Sequence, residues 1–178
     1  MTGLFLAGCA SEPERVTVQA PVAAVNNESF LSDKTINAFL KAMIQIEEID
    51  LPEDFEYAFD LRAFDDDGTF KPFSANIGIF QGTAVQDEVR KILEEADLGD
   101  AEQFTAIGDR IYRAYAALQA EEEAKAVLEA GQEAESEAGR QEAIDSAADL
   151  LVSANLAPEE DKVAVRTYVG RMREILEH

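Results

Sequence analysis

At 178 residues the chain suits one ordinary domain with a real core and is short for two. Hydrophobic residues make up 47% and charged residues 29%, which are globular proportions and not those of a disordered chain. The formal net charge of −22, from 37 acidic against 15 basic side chains, repels phosphate backbones and anionic head groups, so nucleic acid is not an expected partner, whereas a basic protein patch would be attracted.

The first distinctive stretch is Leu6-Ala7-Gly8-Cys9, which holds the one cysteine of the chain. A single cysteine forms no internal disulfide. Residues 10–29 follow it with Pro13 and Pro21, no aromatic residue and no sustained 3.6-residue apolar repeat. That is tether composition, and a flexible segment of this length reaches roughly 25 Å root-mean-square. Leu6-Ala7-Gly8-Cys9 resembles the lipobox of bacterial lipoproteins. The resemblance implies that Cys9 is the lipid attachment site and the mature N-terminus. It further implies that 1–8 is a remnant signal peptide, 9–29 a lipid-anchored tether and 30–178 a single helical domain. The membrane is then a partner through the lipid on Cys9, and the location is the bacterial cell envelope, the outer membrane in preference to the inner, with the domain in the periplasm or outside. Only eight residues precede Cys9 and none is basic, so a complete signal peptide with its basic start and apolar run of about 7–15 residues is expected to begin upstream of Met1.

In the body, Ser32 reads as an N-cap, with Leu31 and Ile36 at the positions of a hydrophobic staple. Ile36, Phe39, Leu40, Met43 and Ile44 then keep a one-sided helical repeat to about Ile49. Pro52-Glu53-Asp54 reads as a second helix start, but Phe55, Tyr57, Phe59 and Leu61 alternate at strand period. Helix is the preferred reading there. Asp65-Asp66-Asp67-Gly68 is a turn, and Lys71 to Gly82 a loop broken by Pro72 and glycines. Val85, Val89, Ile92, Leu93 and Ala96 mark another helix, closed by Gly99 at C′.

Asp100 with Gln103 is a capping-box-like start for the next helix, whose stripe is Phe104, Ile107, Ile111, Tyr115 and Leu118. The pattern allows this helix to continue to about Ala130, with Leu128 as its last large apolar residue. The Ala- and Glu-rich run from Gln119 to Glu142 has high helix propensity but only Val127 and Leu128 as large apolar groups, so a solvated arm or poorly packed connector is expected. A helix from about Glu142 to Asn155, with Ile144, Ala148 and Leu151 inward, precedes one starting at Pro158 that buries Val165, Val169, Met172 and Leu176. The short link between them makes the two an αα-hairpin. The expected fold is all-α: an irregular bundle of five or six helices with a C-terminal αα-hairpin behind a flexible tether.

Chemistry is sparse. The only histidine is His178, at the end of the chain, where an imidazole is not held for triad or zinc work. From Glu47 to Asp67 ten acids stand against Arg62 alone. Asp65 and Asp67 are weak candidates for a calcium site, but an EF-hand register would put Ala63 and Ser74 at its first and last ligand positions. A solvated acidic turn is the simpler reading. No catalytic residue and no cofactor is expected. Arg110 and Arg113, with Tyr112 and Tyr115, form the one basic-aromatic cluster, and pairing with Asp109 or other acids accounts for the arginines. The expected function is that of a non-enzymatic envelope lipoprotein acting as a binding or structural module. The alternative is an acidic inhibitor or immunity-type protein that blocks a basic partner, and the third reading is a carboxylate-based or calcium-dependent enzyme.

Overall fold

The computed structural model describes residues 31–49, 69–76, 78, 85–155 and 157–176. In chain order these form α1 (Asp33–Glu47), a 3-10 turn at Ser74–Asn76, α2 (Gln86–Glu95), α3 (Ala101–Gln132), α4 (Glu137–Ala154) and α5 (Glu159–Val165). A second 3-10 turn at Arg166–Tyr168 leads into α6 (Val169–Leu176). The expected all-α bundle is the architecture. Residues 1–8, the expected tether at 9–29 with Cys9, the 55–64 stretch, Asp65, Asp67 and His178 lie outside the described residues. None of the described helices is long and apolar enough to cross a membrane.

Local rules set the helix starts. Ser32 Oγ accepts the Thr35 N–H at 3.1 Å, and Leu31 and Ile36 are both buried as a staple requires. Asp100 Oδ1 accepts the Gln103 N–H at 2.9 Å and opens α3. The end of α2 departs from expectation. Leu98 N–H reaches the Leu93 carbonyl at 3.0 Å and Asp97 N–H that of Glu94 at 3.2 Å, which is a Schellman closure. The left-handed residue at C′ is therefore Asp97 (φ 58°), and Gly99 (φ 77°) serves the following link into α3. Burial of Leu98 favours this register, because an apolar C″ residue packing on the preceding turn commonly accompanies the closure. Asp97→Gly relieves the Cβ strain and gives up only an exposed ion pair with Lys34. It is expected to stabilise by about 0.5 kcal/mol in urea denaturation. Gly99→Ala, whose Cβ would overlap the Gln103 side chain, is expected to destabilise by about 1 kcal/mol or more.

The core centres on three phenylalanines. Phe39 of α1 stacks on Phe104 of α3 with centroids 5.1 Å apart and meets Phe73, from the 3-10 turn, edge-on at 5.3 Å. Phe73 sits in the stretch expected to be plain loop, yet it is fully buried. Two features of α3 hold it. Gly108 leaves the space, since a Cβ there would stand 2.6 Å from Phe73 Cγ and 3.0 Å from Phe39 Cε2. Asp109, itself buried, accepts the N–H groups of Phe73 at 2.8 Å and Ser74 at 3.2 Å. Alanine is the better helix former by about 1 kcal/mol, so Gly108→Ala sets propensity against packing. Overpacking is expected to win, with a net loss of about 1–2 kcal/mol in urea denaturation. A gain in stability would contradict this account of the core.

The helix continues through Gln119 to Gln132, close to the expected end at about Ala130, but the run from Gln119 to Glu142 is not a loose arm, since Ala120, Ala124 and Gly131 are buried. The run then turns over 133–136 and starts α4 five residues before Glu142, where Ser136 Oγ caps the Gly139 N–H at 3.1 Å. α4 packs against the second half of α3 through small residues: Ala120, Ala124 and Gly131 on one side, Ala147 and Ala154 on the other. Gly131 lies so close to Ala143 that a Cβ on it would overlap. This separation has no room for branched side chains. Ile144 and Leu151, expected inward, are accordingly 52% and 42% exposed, and Ala148 is exposed too. The close helix pair of the C-terminal half is thus α3 with α4, while α5 packs on α3 instead of forming the hairpin with α4. Val165 and Met172 are buried as expected, Val169 is half-buried, and the side chain of Leu176 lies outside the described set.

Candidate functional site

Two features concentrate chemistry: an ionic cluster where α5 meets α3, and the outer side of the α3–α4 hairpin. The first begins with Asp161, in the first turn of α5 and 1% exposed. The Arg110 guanidinium of α3 grips it with both prongs, Nε to Oδ2 at 3.1 Å and Nη2 to Oδ1 at 2.7 Å. Next to it, Lys162 Nζ donates to Glu121 Oε1 at 2.6 Å and Glu159 Oε2 at 2.8 Å. The hydrogen bonds it donates to Glu121 and then to Glu159 hold the Lys162 pKa above its ordinary 10.5. The hydrogen bond from Lys162 holds Glu159 below its ordinary 4.5. Arg110 is therefore matched across 51 residues, and not by Asp109. Arg113 donates to the Asp109 main-chain carbonyl at 3.1 Å.

A comparable fastening holds the second 3-10 turn and α6 to α1. The Tyr168 hydroxyl donates to Asp33 Oδ1 at 3.0 Å and accepts from Asn37 Nδ2 at 2.9 Å, and Arg171 donates to Asn37 Oδ1 at 2.8 Å. Burial, followed by the Asp33 carboxylate, pushes the Tyr168 phenol above its ordinary 10.0. A groove of about 450 Å³ between α1, the α2–α3 link and α3 is bordered by Lys34 and Arg110. Its two cations are already engaged by Asp97 and Asp161.

Chemically, these groups lock helices together. Among the described residues no group of three or more His, Cys, Asp or Glu is placed to hold a metal ion, and the sequence candidates Cys9, Asp65 and Asp67 are not among them. A helix that starts at Pro158 puts Asp161 in its first turn, a position that by itself gives no sign of burial. The available signal was Lys162, which shares a helical stripe with Val165, Val169 and Met172.

The second feature is the hairpin's outward surface. From 121 to 155 ten acidic side chains stand against Lys125 and Arg140. Within that field Ile144, Leu151 and Val152 of α4 are exposed. No family model matches the chain, and no curated protein or solved structure matches it.

The ionic cluster makes graded predictions. Arg110→Met leaves the Asp161 carboxylate buried and unpaired and is expected to cost about 3–5 kcal/mol in urea denaturation, with Arg110→Met/Asp161→Leu recovering most of it. Lys162→Met is expected to cost about 1–2 kcal/mol, because Glu121 and Glu159 can rehydrate. The raised Lys162 and Tyr168 values contribute stability that is complete below 10.5 and 10.0 respectively and is lost as pH rises through the folded values. The lowered Glu159 contributes stability present above 4.5 and lost as pH falls through its folded value, a small term because this carboxylate is exposed. The melting temperature should therefore fall as pH climbs past 10, and Lys162→Met or Tyr168→Phe should each flatten part of that fall.

Proposed function

We propose that the chain is a bacterial envelope lipoprotein, anchored by lipid on Cys9, whose helical domain acts as a binding module and not as an enzyme. The carrying observation is the run Leu6-Ala7-Gly8-Cys9 followed by tether composition over 10–29. Support from the fold is that Leu31 and Ser32, which follow that stretch, already belong to the helical domain, Leu31 buried in its core and Ser32 capping its first helix. Such a tether holds a domain away from the membrane surface. Anchoring of this kind is firm, since each buried CH₂ of an acyl chain contributes about 0.8 kcal/mol. The outer membrane is the preferred site, with the acidic domain facing the periplasm or the outside. A second reading, an acidic inhibitor of a basic protein, draws on the acid excess around the α3–α4 hairpin; the two differ in whether a membrane anchor is required.

The test is expression from the native gene in a bacterial host fed labelled fatty acid. The wild-type chain is expected in the membrane fraction carrying label. Cys9→Ala should carry none and pass to the soluble fraction. A Cys9→Ala protein still in the membrane, or an unlabelled wild type, refutes the anchor.

A further inference from the structure

We infer that the outer face of α4 is a docking site for a basic amphipathic helix of a partner protein. Ile144, Ala148 and Leu151 recur at i, i+4 and i+7, and Val152, 68% exposed, flanks them. At this spacing they form one continuous stripe. The stripe is separate from the contact with α3, which uses Ala147 and Ala154 together with Ala143, the neighbour of Gly131. Ile144 points about 100° away from Ala143 around the helix. The tight hairpin thus has its own small-residue seam, and the large apolar side chains of α4 lie outside it.

Charge selects the occupant. Asp145 and Asp149 follow the stripe along one edge, with Glu142 beyond, and Arg140 is the one cation on α4. Two copies apposed through this face would bring these carboxylates against each other, which is costly for like charges. An anionic bilayer surface is repelled by the same field. A helix with an apolar stripe bordered by Lys or Arg satisfies both requirements, burying Ile144 and Leu151 while its cations meet Asp145 and Asp149. This rests on the reading of the domain as a binding module and is independent of the lipid on Cys9.

The test uses the full chain, purified without lipid, in calorimetric titration with a synthetic probe: a helical peptide of Leu and Lys with leucines at i, i+3, i+4 and i+7. A peptide of the same composition in scrambled order is the control. The ordered peptide is expected to bind at least about tenfold more tightly than the scrambled one, and Ile144→Glu/Leu151→Glu to weaken it by at least about tenfold. Added carboxylates strengthen charge attraction, so that loss reports the apolar contact. Val163→Glu, an exposed site on α5, should change affinity less than about threefold. Equal binding of the two peptides, or no effect of the double variant, overturns the proposal. So does a lower melting temperature of Ile144→Glu/Leu151→Glu without peptide, which would mean the chain itself covers the stripe. A concentration-dependent dimer in sedimentation that the double variant abolishes overturns it in favour of a second copy. The fate of Cys9→Ala in fractionation is unaffected by any of these results, so failure of the anchor and failure of the docking face are told apart.

Discussion

The packing of Phe39, Phe73 and Phe104 over Gly108 ties together parts of the chain that local rules alone would leave apart. α1 and α3 are helices by composition and capping, but nothing in either one specifies their mutual orientation. The stacked pair Phe39–Phe104 fixes it, and Phe73 closes the third side from a non-helical segment. A buried loop residue brings buried backbone N–H groups with it, and those must be bonded. Asp109 supplies the acceptor for two of them. Gly108 and Asp109 are adjacent, so one turn of α3 provides both the vacancy for the ring and the anchor for its backbone.

The other half of the molecule is built on a different principle. The α3–α4 hairpin brings its backbones close through alanine and glycine, gaining dispersion contacts rather than large buried side chains. Alanine burial removes little apolar area per residue, so this half needs additional fastening. Arg110 with Asp161 and Lys162 with Glu121 secure α5 to the same helix. Buried ion pairs offset their own desolvation only when geometry is good, and the two-pronged grip on Asp161 meets that condition. They also specify position, because Arg110 and Lys162 each have a carboxylate matched at one register of α5 against α3.

How much of this was legible beforehand follows the range of each interaction. The caps at Ser32 and Asp100, and the stripes of α1 and α3, are written within a few residues of each other and were readable. Glycine preference alone puts the αL residue at the end of α2 two positions late, at Gly99, because it takes no account of the burial of Leu98. Phe73 looked like a loop residue since the space it fills is opened by a glycine 35 positions away in sequence. On α4 two stripes, Ala143/Ala147/Ala154 and Ile144/Ala148/Leu151, run side by side, and residue size points to the second as the inward face where the fold buries the first. Hydrophobicity favours burying the larger stripe; the distance between backbones, known only from the fold, favours the smaller. The Arg110–Asp161 pairing joins residues on separate elements, which a single sequence does not reveal.

The distribution of cations gives the acid excess its physical meaning. Lys34, Arg90, Lys125 and Lys162 have carboxylate partners inside the domain, and Arg140 and Arg173 donate to a carbonyl and an amide oxygen. These positive groups act at short range, each beside an acceptor. With 37 acids and 15 bases in the chain, pairing of this kind leaves most carboxylates to set the field seen from outside. That field falls off over about 8–10 Å at physiological salt, so it discriminates among surfaces that have already come near. An uncharged apolar stripe within it acts at contact distance only. For the proposed docking of a basic helix the two ranges are complementary: charge favours the approach of basic surfaces over acidic ones, and the α4 stripe adds the demand for an apolar match at contact.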